Sequence, residues 1–177
     1  VAYCVHTWEM GAVRGWVVAF LAWVAWDGGA GVSSWITPAT VATGMALVGT
    51  WASVTGNELS IRLGRGRLIA AAMCGSGIVA VLLGPLGSTS YPLAAVLVLG
   101  YGALIWLDSS SLTAGAAGSA QPERRGATLA VHSMLGYLGG LLGPLTVGAI
   151  LDLAGGMSAL GWSLAFGHIA VVLALGF

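Results

Sequence analysis

One aspartate stands in the middle of the apolar stretch GYGALIWLDSSSLTAG: Asp108. It lies about eleven residues from the polar QPERRG segment, roughly 16 Å along a helix at 1.5 Å per residue. At that depth in an apolar helix a carboxylate is costly unless it is protonated, paired or hydrated. Tyr101, Leu104, Asp108, Ser111, Gly115 and Gly118 share one helical stripe at i, i+3 and i+4 spacing. The stripe is mostly polar or small, so it is expected to face protein or water and not lipid. A cavity-facing Asp108, with Tyr101 and Ser111 beside it, suits a cationic solute or a transferable proton. The plainer alternative is a structural carboxylate held by a neighbouring hydroxyl or arginine.

His132 is the second titratable candidate, on the helical face that carries Gly136, Gly139 and Gly143. It differs from Asp108 in depth by about 7–10 Å at helical rise, so it is a candidate for coupling without required contact. The plainer reading is a packing histidine near the inner interface, and His168 reads as structural in the same way. Trp16, Phe20 and Trp23 recur at i, i+4 and i+7, a spacing that suits one wall of a cavity. Trp23, Trp26 and Trp35 also cluster where aromatic anchors meet the outer surface. Glu9 and Arg14 are five apart, about 140° around a helix, so each is expected to pair elsewhere on the inner face. Cys4 and Cys74 form no metal-ligand pattern and no expected disulfide, and no cofactor is expected.

The elements that must hold these groups follow from composition. The chain has 177 residues, 58% hydrophobic and 7% charged, with mean hydropathy +0.94. A soluble domain carries about a quarter charged residues, so the fold class expected here is an all-α integral membrane protein, a six-helix transmembrane bundle. The apolar runs are too long and too unbroken for alternating barrel strands. Spans of about 20 residues fall at about 10–26, 36–56, 68–87, 92–118, 127–151 and from 159 onward, together one bundle over 1–177. The first is short, and its true start lies among His6, Thr7 and Glu9 if it extends. Breakers mark the connectors: DGGAG near 27–31, GPLGSTSYP near 84–92, QPERRG at 121–126 and AGG at 154–156.

Three of the six basic residues, Arg62, Arg65 and Arg67, crowd into NELSIRLGRGRL between the second and third spans. Arg124 and Arg125 follow the fourth span, and Arg14 opens the first. All six arginines then fall on one side, which the positive-inside rule makes cytoplasmic, together with the N-terminus and the C-terminal end. Gly64 permits a tight turn there. The guanidinium groups can hold helix C-termini and nearby carboxylates, with Glu58 and Arg62 spaced for a helical i,i+4 pair.

The connector resembles the short cytoplasmic loop G-x-x-x-D-R-x-G-R-R of the major facilitator superfamily. Arg62, Gly64 and Arg65 match its R-x-G-R core; Asn57 stands at the leading glycine, Ile61 at the acid, and the second paired basic is displaced to Arg67. The fifth run, HSMLGYLGGLLGPLTVGAILD, resembles the Gly-rich fifth helix of a facilitator half. In it Gly136 and Gly140, and Gly139 and Gly143, are spaced for close helix contact, and Pro144 frees a carbonyl and permits a bend. PERRG is similar to the connector between the tenth and eleventh helices, and HTWEMGAVRGW to the start of the seventh. The resemblance implies helices seven to twelve of a longer transporter, of which this chain is expected to be a fragment.

It further implies a secondary active transporter of a small solute working by alternating access, proton-coupled, in the cell membrane. The implied partners are the lipid bilayer, a small-molecule substrate and the N-terminal six-helix half of the same transporter, with no nucleic acid. A scaffold or sensor half is the rival, and an enzyme is the weakest alternative. A rhomboid-type serine would need G-x-S-G, and Cys74-Gly75-Ser76-Gly77 lacks the first glycine.

Overall fold

The computed structural model describes residues 1–27 and 35–176, and every regular element among them is helical. In chain order they are α1 (Ala2–Asp27), α2 (Pro38–Leu63), α3 (Arg65–Gly87), α4 (Tyr91–Leu107), α5 (Ser109–Ser119), a 3₁₀ turn (Pro122–Arg124), α6 (Arg125–Leu153) and α7 (Ala159–Gly176). Because α4 and α5 are one segment interrupted at Asp108, the described residues form six helical segments. Four segments are long and apolar enough to cross a membrane: Arg65–Gly87, Tyr91–Ser119, Pro122–Leu153 and Ala159–Gly176. Much of the DGGAG connector lies outside the described residues.

Several boundaries differ from those expected. The first helix begins at Ala2, so His6, Thr7 and Glu9 are inside it and buried. Arg14 therefore sits mid-helix and not at a helix start. The arginine-rich connector shrinks to one residue. Arg62 lies in the last turn of α2, Arg65 and Arg67 in the first turn of α3, and Gly64 alone joins them. Its backbone angles, φ 88° and ψ 130°, are open to glycine and strained for other residues. Its N–H closes α2 on the Ser60 carbonyl at 3.0 Å. Gly64→Ala is expected to cost about 1 kcal/mol or more, read as a lower midpoint in thermal unfolding of the detergent-solubilised protein; an unchanged midpoint would contradict a strained turn.

The connector arginines are exposed and make no ion pair among the described residues, where the only ion pair is His6–Asp108. The expected Glu58–Arg62 bridge is absent. Arg62 is placed well for the α2 C-terminal dipole. Arg65 leans instead on the end of α5, where a Cβ built on Gly118 would lie 3.7 Å from its Nη1.

Helices pair through small residues, as expected where lipid tails remove any hydrophobic gain from helix association. The most extensive pairings are α1 with α6, α2 with α4 and α3 with α7. Along α1–α6, a Cβ on Gly139 would strike the Cys4 carbonyl, one on Gly143 the Trp8 carbonyl and one on Gly136 the Tyr3 ring. Gly140 has room, with its nearest neighbour at 4.0 Å, but its carbonyl fills the space beside Gly11. That carbonyl is the one Pro144, inside α6, leaves without its helical donor. Trp16 Nε1 donates to the Pro144 carbonyl at 2.9 Å, a further clasp between the two helices.

The core contains an aromatic cluster of α1 and α7. Phe20 meets Phe166 at 5.0 Å and Trp162 at 5.2 Å between ring centroids, in edge-to-face contact. Phe20 is fully buried, so it packs the interior and is not a cavity wall, and the partly buried Trp16 is spent on the α6 clasp. At the α1–α7 seam Trp8 Nε1 donates to His168 Nε2 at 3.2 Å, and His168 Nδ1 meets the Ala165 carbonyl. Those two partners fix His168 as a neutral imidazole protonated on Nδ1.

Candidate functional site: a buried histidine–carboxylate cluster

His6 and Glu9 are one helical turn apart on α1 and face the bundle interior. The tight α1–α6 seam fixes α1 in rotation and brings this face against α4. There Tyr101 and Asp108, two turns apart, point back at it. His6 Nδ1 lies 3.2 Å from Asp108 Oδ1, with side chains 1% and 3% exposed. The Glu9 carboxylate faces Tyr101, Asp108 and Ser76 of α3, and Glu9, Ser76 and Ser111 are all buried.

Asp108 sits at the interruption between α4 and α5. No proline or glycine stands there to cause it. Local tertiary contacts accompany it: the ion pair with His6, a bond from Ser110 Oγ to the Ser53 carbonyl of α2 at 2.6 Å, and the close approach of Gly56 to the Leu107 carbonyl. Asp108 and Ser111 thus share a face, as their spacing requires, but that face is sealed inside the bundle. Asp108 does not open onto the bundle surface. Its partner is a histidine, and neither a hydroxyl nor an arginine holds it.

Among the described residues four buried polar atoms of this cluster make no well-formed hydrogen bond: His6 Nε2, Glu9 Oε1, Tyr101 Oη and Ser111 Oγ, although the Tyr101 hydroxyl and the Glu9 carboxylate are close neighbours. Buried polar atoms are nearly always paired, and each unpaired one costs about 1–3 kcal/mol. Their concentration around two carboxylates and an imidazole leaves hydrogen-bonding capacity in this cluster for further polar partners. With Asp108 and Glu9 ionised and His6 neutral the cluster carries two negative charges. Two protons neutralise it, so its net charge follows its proton content directly.

His132 lies outside this cluster. Its Nε2 is 3.4 Å from Thr113 Oγ1, and its ring stacks on Tyr3 at 3.7 Å between centroids. Tyr3 in turn stacks on His6 at 5.9 Å. A groove of about 360 Å³, lined by Tyr3, Thr7, Met10, Ser133, Gly136 and other α6 residues, opens beside this series. The rings therefore lead from the half-exposed His132 through Tyr3 to the buried His6, and it is His6, not His132, that meets Asp108. Among the described residues no group of three or more His, Cys, Asp or Glu could hold a metal ion.

Sequence reasoning missed His6 and Glu9 as partners of Asp108. The available signal was the one-turn spacing of the two residues and the lack of any breaker between Ala2 and Met10, which lets the helix run through them. Comparison with known proteins finds no matching family model, no matching characterised protein and no matching solved structure.

Proposed function

We propose that this chain is a six-helix half of a proton-coupled secondary transporter, and that His6, Glu9 and Asp108 carry the coupling proton. The observation that carries the reading is the buried His6–Asp108 pair with Glu9 beside it. Ionisable groups inside an apolar bundle are expensive, and proton relays are a common reason for them. The groove beside Tyr3 and His132 is the proposed entrance, and Asp108 at the helix interruption the inner end. One pass of the proton in and out changes the cluster charge by one unit and alters how α1 sits against α4.

The helix pairing supports the same reading. Counting α4–α5 as the fourth pass, the first pairs with the fifth, the second with the fourth and the third with the sixth. Exchanging passes one to three with four to six maps this set of pairings onto itself. Inverted three-helix repeats nested in a six-helix half have that property, and facilitator-type transporters are built from them. The proposed second half would meet this one across a central cavity, and alternating access is rocking of one against the other. Arg62, Arg65 and Arg67 with Arg124 and Arg125 place one face on the cytoplasmic side under the positive-inside rule. Both chain ends lie on that side in the six-pass reading.

The test is infrared difference spectroscopy of the intact protein in lipid between acidic and alkaline buffer. The expected result is a C=O stretch from a protonated buried carboxyl that titrates and is lost or shifted in both Glu9→Gln and Asp108→Asn. A spectrum identical in wild type and both variants would remove the cluster from any role in proton binding.

A further inference from the structure

Arg14 is the one arginine outside the two inner-face clusters, and neither the turn at Gly64 nor the proton cluster explains it. It stands in the middle of the 26-residue α1, about 18 Å from either end at 1.5 Å per residue. It is exposed, within the stripe Arg14, Val18, Ala22 and Trp26 that α1 turns away from its own bundle. No ion pair holds it among the described residues. α1 is not one of the four helices long and apolar enough to cross a membrane on their own, but in the six-pass reading proposed above it crosses with them. The Arg14 side chain would then be too short to snorkel to either interface, and a guanidinium facing lipid there would be strongly unfavourable. In that reading this face of α1 meets water or protein.

The surroundings are built to leave the charge reachable. Arg14 borders a groove of about 430 Å³ between α1 and α2, together with Val17, Ala39, Ala42, Thr43 and Ala46. Val18 and Met45 line the groove as well, Thr43 brings its one hydroxyl, and no carboxylate lines it. Glu9 is about 140° around the helix from Arg14 and is buried. One helix thus carries an acidic inner face and a basic outer face.

We propose that Arg14 binds the anionic group of the transported solute, a carboxylate or a phosphate, in a water-filled site between α1 and α2 that faces the second half. A planar guanidinium pairs such groups through two parallel N–H···O bonds. The inference rests on the transporter reading, in which this face of α1 borders the central cavity. It assigns an anion as the solute class and makes co-transport of a proton and an anion the charge-compensated reaction. Asp108 is then a proton group and not a receptor for a cation.

The test needs neither a known solute nor proton uptake, so it stands apart from the infrared experiment. In the intact protein in native membranes, with Cys4→Ser and Cys74→Ser removing both cysteines, Thr43→Cys and, separately, Ala46→Cys are labelled with two membrane-impermeant methanethiosulfonates of similar size. One is an anionic sulfonate and the other a quaternary ammonium. The expected result is labelling by both, with the anionic-to-cationic rate ratio falling about fivefold or more on Arg14→Gln and kept by Arg14→Lys. Labelling by neither reagent at either position would mean the face is lipid-covered or closed, and the proposal fails. A ratio indifferent to Arg14→Gln would mean that an acid of the second half already neutralises the guanidinium, and the proposal fails equally.

Discussion

Asp108→Asn is expected to leave the intact protein folded and inserted and, under the proposed transport function, to reduce pH-gradient-driven solute accumulation on the order of 100-fold or more, the scale on which positioned proton-transfer groups act. Asparagine keeps the shape and a hydrogen bond to His6 but cannot take up or release the proton. The loss should be specific to the driven reaction. Exchange of solute at equal pH on both sides should be reduced less. The His6 side of the pair makes the opposite prediction for stability. His6→Gln takes from the buried Asp108 carboxylate its imidazole partner, and removing one member of a buried pair in this way costs about 3 kcal/mol or more. Combining His6→Gln with Asp108→Asn removes the stranded charge, so the double variant should be more stable than His6→Gln alone. Thermal unfolding in detergent reads that cycle, and uptake in vesicles reads the first effect. Full accumulation by Asp108→Asn at every gradient would end the proton assignment. A double variant no more stable than His6→Gln would end the ion-pair account.

The second large effect lies on the α1–α6 seam, where adjacent glycines should behave oppositely. Gly139→Ala puts a methyl group against the Cys4 carbonyl, a backbone atom that cannot rotate aside. Separating the helices loses the close packing that holds them, at a cost of about 3 kcal/mol. Gly140→Ala has open space, and alanine is the better helix former by about 1 kcal/mol. It should be neutral or stabilising. Folded yield and thermal midpoint of the two variants, measured side by side, decide the matter; equal behaviour would mean that the seam is looser than the geometry requires.

The number and order of helical segments were legible because apolar runs and breakers carry them, whereas the glycine spacing of the fifth run did not separate Gly136, Gly139 and Gly143, where a Cβ would strike α1, from Gly140, where it would have room. The side chains' directions were much less so. In a soluble helix polarity marks the outer face, but in an apolar bundle the lipid-facing and core-facing sides look alike. Phe20 therefore passed for a cavity residue while the structure buries it against Trp162 and Phe166. His6 and Glu9 failed for the converse reason. Polar residues near a chain end resemble a helix's aqueous margin, and only the fold of α1 against α4 turns them inward. The interruption at Asp108 had no local signal at all, being accompanied by contacts from α1 and α2 that no window of sequence contains. The one-residue turn at Gly64 was visible as a glycine but not as the whole connector, because the charged residues around it are equally compatible with helix ends and loop.

The interruption at Asp108 also divides one long apolar helical segment into two cooperative units. Tyr91–Leu107 carries seven buried residues, whereas in Ser109–Ser119 Ser111 alone is buried. Local opening free energy follows buried contact, so the shorter segment 109–119 can unwind and re-form many times while 91–107 stays closed. Amide hydrogens of 109–119 should thus exchange with solvent well before those of 91–107. The carboxylate at the joint sits where the stable unit ends and the labile one begins, so a proton arriving there acts on the segment that yields most easily.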